Sequence, residues 1–136
     1  MRTFLVFVLV FVMADSAGQS PGERDSGRVW HSACSFPDIK EREGAVRAYE
    51  GRYRGGFEVS SFALKEGNCE LWLTGDICPI FTEGRCDKGA TVTADVRVEG
   101  VLSQSRQRGF GHRGAYERQL TVTRVLAVTR LQGDDH

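Results

Sequence analysis

Residues 91–99 alternate without a break. Val92, Ala94, Val96 and Val98 are apolar, and Thr91, Thr93, Asp95, Arg97 and Glu99 between them are polar. A period of two sends the two sets to opposite faces of a pleated ribbon, so the stretch reads as a β-strand with one face in a core. At Gly100 the pattern slips, because Val101 is apolar where a polar residue is due. A glycine at a change of parity is the sequence mark of a β-bulge.

Residues 116–131 read as a second long strand, rich in the threonine that strands accept well. Leu120 and Val122 share one parity; Arg124 breaks it, and Val125, Leu126 and Val128 resume out of step, which places a second bulge near Thr123 and Arg124. The polar run 103–114 between the two strands holds three glycines and reads as a long hairpin loop, making the strands antiparallel neighbours. Residues 46–64 are also β-rich and are divided at Gly55–Gly56, either as a tight hairpin or as one sharply bent strand. A short strand around Trp72 ends at Thr74-Gly75-Asp76. Residues 38–48 allow one helical turn, which Gly44 weakens. About five strands, two of them long and slipped, predict an all-β fold: a small five-stranded barrel of oligonucleotide/oligosaccharide-binding (OB) type, with an open β-sandwich as the alternative.

The chain opens with Arg2, an unbroken apolar run over residues 4–13, and then the small residues Ala14, Ser16, Ala17 and Gly18. That order is the pattern of a secretory signal. A bilayer span needs roughly 20 apolar residues, so no transmembrane anchor is expected to remain once the leader is cut. The expected organisation is a signal peptide over 1–18, a flexible lead-in over 19–30, and a single barrel-like domain over 31–136. The protein is expected to be periplasmic or secreted. Eighteen basic and eighteen acidic residues cancel, so overall charge does not favour nucleic acid or a membrane surface as partner. Arginines nevertheless gather late: from Asp95 to Leu131 seven of them face three carboxylates.

Cys34, Cys69, Cys78 and Cys86 all follow the leader. An even count in an exported chain implies disulfides, and four cysteines allow three pairings between which spacing does not choose. The pairing we favour is Cys34–Cys69, tying the N-terminal segment to the β body, with Cys78–Cys86 closing a short loop around Pro79 and Gly84. The rival, a zinc site with His112, lacks the close cysteine pairs of a zinc knuckle, so no metal and no cofactor are expected.

Gly55-Gly56-Phe57-Glu58-Val59-Ser60-Ser61-Phe62, then Trp72, then Gly100-Val101-Leu102-Ser103 and Gly111-His112-Arg113-Gly114-Ala115-Tyr116-Glu117-Arg118 together resemble a set of small exported bacterial proteins. These carry a GFE-x-S-x-F segment, a downstream Trp, and a GH-x-G-x-Y segment before the last strand. The resemblance covers roughly residues 49–128 and implies a bacterial source and a compact β fold, with no activity attached. The loop between Cys78 and Cys86 is an addition to that pattern.

Among polar candidates, His112 sits between glycines, where the backbone can approach a ligand closely. Its plainer role is a turn histidine bonded to a neighbouring carbonyl or carboxylate. Glu58 is a candidate acid–base partner for it, or else a structural ion pair with Arg52, Arg54, Arg118 or His112. Phe57, Phe62 and Trp72 are expected in the core. Phe110 lies among Arg106, Arg108 and Arg113, so it either stacks on a sugar or base or folds back over the barrel end. Tyr116 closes the candidate set. Three function classes follow. The first is a non-enzymatic exported β module with a structural or interaction role. The second is an OB-type binder of glycan, peptide or polyanion through loop 103–114. The third is a small hydrolase or isomerase using His112 and Glu58. A protein or a glycan is the expected partner.

Overall fold

The computed structural model describes residues 34–81, 86 and 90–131. The leader over 1–18 and the lead-in over 19–30 lie outside the described residues. Five strands form one closed ring: β1 (Val46–Gly56), β2 (Val59–Leu64), β3 (Glu70–Gly75), β4 (Val92–Leu102) and β5 (Gln119–Arg130). Around the ring the order is β1-β2-β3-β5-β4, with β4 returning to β1. Every pair is antiparallel except β3 with β5, which is parallel. The expected five-stranded barrel of OB type is therefore the fold, and the ring has no open sandwich edge. A single helical turn, α1 (Ile39–Arg42), precedes β1.

Strand β1 belongs to both sides of the barrel. Val46 to Gly55 pair with β4, while Gly51 to Gly56 pair with β2. It can bend between them because Gly51 faces inward, where a Cβ would stand 2.2 Å from the Ala63 carbonyl oxygen. The glycines at 55 and 56 do not bend one long strand. They end β1 in a tight hairpin whose turn is Phe57-Glu58, since Gly56 pairs with Val59. Phe57 therefore projects from the turn at 80% exposure and is not a core residue; Phe62, on the inner face of β2, is fully buried as expected.

Strand β4 alternates through its whole length. Ala94, Val96, Val98, Gly100 and Leu102 are buried, so parity does not slip at Gly100. The slips fall on β5 instead. Register passes from Arg97↔Ala127 to Val98↔Val125 and from Glu99↔Arg124 to Gly100↔Val122, leaving Leu126 and Thr123 unopposed. The bulge expected near Thr123 is present, and a second lies at Leu126. Gly100 accommodates the first, since a Cβ there would lie 2.6 Å from the Thr121 carbonyl oxygen. Val101 simply faces outward, half-buried.

The core is the inner face of this ring, with Tyr53, Phe62, Leu71, Leu73, Val96, Val98, Leu102 and Leu120 all buried. A 3-10 turn over Cys78–Ile80 plugs the end beneath the β1–β2 hairpin. Its neighbour Phe81 meets Tyr53 edge-on at 6.1 Å, and Arg130 donates to the carbonyls of Ile80 and Phe81 at 3.2 and 2.8 Å. Phe36 and Tyr49 fill the opposite end. The disulfides are Cys34–Cys69 and Cys78–Cys86, one at each end of the barrel. Two such bonds fit a non-reducing compartment. No helix among the described residues is long and apolar enough to cross a membrane.

All three tyrosines of the chain are held in this fold, and burial raises each phenol above its ordinary 10.0. For Tyr53 and Tyr116 this upward push outweighs hydrogen bonds to Ser60 and Ser61 that act downward. A raised phenol leaves stability intact below the unfolded value. As pH climbs past it, the unfolded chain sheds protons that the folded chain keeps, and stability falls. Ultraviolet difference titration is therefore expected to show tyrosinate forming above the ordinary midpoint and together with alkaline unfolding. Three phenols titrating normally in a folded protein would contradict this packing.

Candidate binding edge

The irregular run between β4 and β5 extends over 103–118, longer than expected, because Tyr116 turns back before β5 starts at Gln119. The Phe110 and Tyr116 backbones exchange hydrogen bonds at 2.8 and 3.2 Å, pinching off a small loop around the 3-10 turn His112–Gly114. Arg113 takes a left-handed φ of 57° in that turn. Gly111 lies flat on the Trp72 ring, where a Cβ would be 2.4 Å from Cε3. Only glycine fits there, and its approach lets the loop fold down over β3.

Trp72 is accordingly not a barrel-core residue. It points outward from β3 between the buried Leu71 and Leu73, and is half-buried beneath the loop. Tyr116 packs on it at 5.5 Å between ring centres. The Tyr116 hydroxyl shares a hydrogen bond with Ser61, which donates in turn to Glu70, and Arg54 pairs with Glu70 at 3.6 Å. Alternation on a strand could not tell which face of β3 is inner, because loop 103–118 makes the outer face apolar as well.

The base of the loop is tied down by charge. Arg118, 5% exposed, donates to Glu43 Oε1 at 2.6 Å and to the Ser103 carbonyl at 3.0 Å. Glu117 accepts from the Cys34 backbone amide at 3.0 Å and from Ser105 Oγ at 2.8 Å. The sequence offered Arg118 as a partner for Glu58; the structure gives it to Glu43, whose backbone bridges to Leu102 beside it.

On this fixed base the remaining candidates stand at the surface. The Arg106 guanidinium lies 4.8 Å from the centre of the Phe110 ring. Phe110 is half-buried, while Arg106, Arg108, His112 and Arg113 are exposed. His112 Nε2 meets Glu58 Oε2 at 3.4 Å, with the two side chains 40% and 49% exposed. The β1–β2 turn and the β4–β5 loop thus touch through Glu58 and its candidate acid–base partner His112. The two serines of the covering network are both engaged: Ser61 donates to Glu70, and Ser60 donates to the Leu73 carbonyl at 2.6 Å. Among the described residues no cysteine is free and no cluster of three metal-ligating side chains occurs.

One feature had no sequence signal. The β2–β3 backbone ladder runs only from Ser61↔Trp72 to Ala63↔Glu70, and beyond it the Ser60 hydroxyl, not its backbone, holds Leu73. The end of the ladder borders a cavity of ≈190 Å³ whose walls include Tyr53, Val59, Trp72, Thr74, Ile77 and Phe81. A searched comparison with protein-family models, curated proteins and solved structures found no match to this chain.

The Arg118–Glu43 pair is buried at 6% and 13% side-chain exposure, so removing one partner strands a charge. Glu43→Ala is expected to lower unfolding free energy by about 3–5 kcal/mol in denaturant titration. The double change Glu43→Leu with Arg118→Met is expected to recover most of that loss. A single variant as stable as the parent would contradict the anchoring.

Proposed function

We propose that the protein is an exported, non-enzymatic β-barrel module that works by binding a partner through the β4–β5 loop, with an anionic glycan as the ligand class. The single observation that carries the reading is the Arg106–Phe110 stack on a loop whose base is fixed by buried ion pairing and hydrogen bonds. A cation already resting on an aromatic face presents charge and a flat apolar surface together, the combination that sulfated or carboxylated sugars require. Because the loop is pre-ordered, binding there costs little conformational entropy. In OB barrels this loop is a common ligand edge, which supports the choice by analogy of fold. The leader pattern supports export, and the two disulfides agree with it.

The Glu58–His112 contact favours a second reading, a small hydrolase or isomerase. It ranks lower. An imidazole and a carboxylate half-open to water lack the dry, enclosed setting that makes such pairs effective.

Retention on a heparin column tests the first reading. The oxidised mature protein is expected to bind at low salt and to elute as salt rises, because the contact is largely electrostatic. Arg106→Gln with Arg108→Gln is expected to elute much earlier, while Arg52→Gln, at a residue of β1 paired with Asp95 of β4, changes elution little. Passage of the parent protein without retention would overturn the proposal.

A further inference from the structure

The end of the barrel filled by Phe36 and Tyr49 holds a second cavity, and no residue of loop 103–118 lines it. Its volume is ≈390 Å³, and small-molecule sites usually measure about 300–1,000 Å³. Phe36, Leu64 and Tyr49 stand in its walls with the cations Arg42, Lys65 and Arg97. Lys65 pairs with Glu50 at 3.0 Å and Arg42 with Glu66 at 3.4 Å. Arg97 is exposed and makes no ion pair among the described residues, since Glu50, its neighbour across the β1–β4 ladder, is turned to Lys65. Tyr49 is 3% exposed, and its buried hydroxyl has no hydrogen-bond partner. Burial pushes its pKa up while Arg42 and Arg47 pull it down, so guanidinium charge lies near the phenol. A buried donor left unpaired is destabilising and calls for a use.

We propose that this cavity binds a small aromatic carboxylate between Phe36, Arg42, Tyr49 and Arg97. The two unpaired groups of its walls, the Arg97 guanidinium and the Tyr49 hydroxyl, can both donate, so the ligand must accept. An ionised carboxylate only accepts, and it has lone pairs for both. Charge fixes the choice further. Three cations and the two carboxylates Glu50 and Glu66 line the cavity, which leaves one positive charge over and suits a monoanion better than a phosphate ester. The apolar part of the ligand meets Phe36, on whose ring the Arg42 guanidinium now rests at 5.2 Å. Arg42 is held there only by that stack and by its contact with Glu66, which is 74% exposed, and such surface pairs are weak. The ligand ring takes the place of Arg42 on Phe36, Arg42 closes over the outer face of the ring, and the Tyr49 hydroxyl is uncovered to the carboxylate. The site shares no residue with the β4–β5 loop and rests on no part of the glycan reading.

Titration of the oxidised mature chain with benzoate, followed by backbone amide shifts in NMR spectra, is the test. Saturable shifts are expected around Phe36, Tyr49 and Arg97, with a dissociation constant below about 1 mM. Benzyl alcohol, which keeps the ring without the charge, and acetate, which keeps the charge without the ring, are each expected to bind at least about 10-fold more weakly. Arg97→Gln, at an exposed position, is expected to weaken benzoate at least about 10-fold. Tyr49→Phe is expected to weaken it about 5-fold while the thermal midpoint holds or rises, because the change removes an unpaired buried hydroxyl. Arg124→Gln, on β5 and paired with Glu99, is expected to leave binding unchanged. The absence of saturable shifts overturns the inference. So does benzoate binding that Arg97→Gln and Tyr49→Phe leave untouched, or benzyl alcohol binding as tightly as benzoate.

Discussion

The barrel depends on how closely its backbones can approach where the ring turns. A short β-sheet closes on itself only if its long strands bend sharply enough to serve two neighbours each. In β1 that bend is at Gly51, where the Ala63 carbonyl occupies the space of a side chain, and in β4 the counterpart is Gly100 against the Thr121 carbonyl. With both contacts made, β4 can return to β1 and β3 can lie parallel to β5. The core inside the ring, the half-buried Trp72 outside it and the loop folded over Trp72 all follow from that closure.

The parts of the fold that were legible in sequence are those where one face is buried and the other wet. Residues 91–99 alternate cleanly because water lies on the outer side of β4 and core on the inner, and β4 follows that alternation throughout. The slip expected at Gly100 is absent from β4, which alternates through it; the bulge expected near Thr123 is present on β5, a second lies at Leu126, and Gly100 is where β4 makes room for the first. Sequence marks the smaller side of such a contact, and the bulge can sit on either partner. Phe57 and Trp72 depart from the core position expected of them for a related reason. An aromatic residue reads as core by type alone, whereas a turn residue can stand in solvent and a strand residue can be covered from outside by a loop.

The candidate edge shows the same division. The sequence brought together Glu58 and His112, and the structure sets them 3.4 Å apart, because the turn after β1 and the loop before β5 rim the same end of the barrel. Glu43 and the short β2–β3 ladder carried no local signal, since both arise from contacts between segments far apart in the chain. The loop is thus rigid at its base, through Arg118 and Glu117, and polar and basic at its exposed positions. A binding module needs that combination more than a catalyst does: fixed presentation without a sealed interior.

Strand β1 itself provides the sharpest test of closure, because two of its three glycines, Gly51 and Gly56, have opposite surroundings. A Cβ at Gly51 would strike backbone at 2.2 Å, whereas one at Gly56 would meet nothing nearer than Thr91 Oγ1 at 3.7 Å. Chemical denaturation of Gly51→Ala and Gly56→Ala, measured side by side, is therefore the decisive comparison. Gly51→Ala is expected to lose at least the roughly 1–3 kcal/mol of an overpacked core, and Gly56→Ala to stay within about 0.5 kcal/mol of the parent. Equal stability of the two variants would mean that β1 does not bend at Gly51 and that the ring is not closed as described.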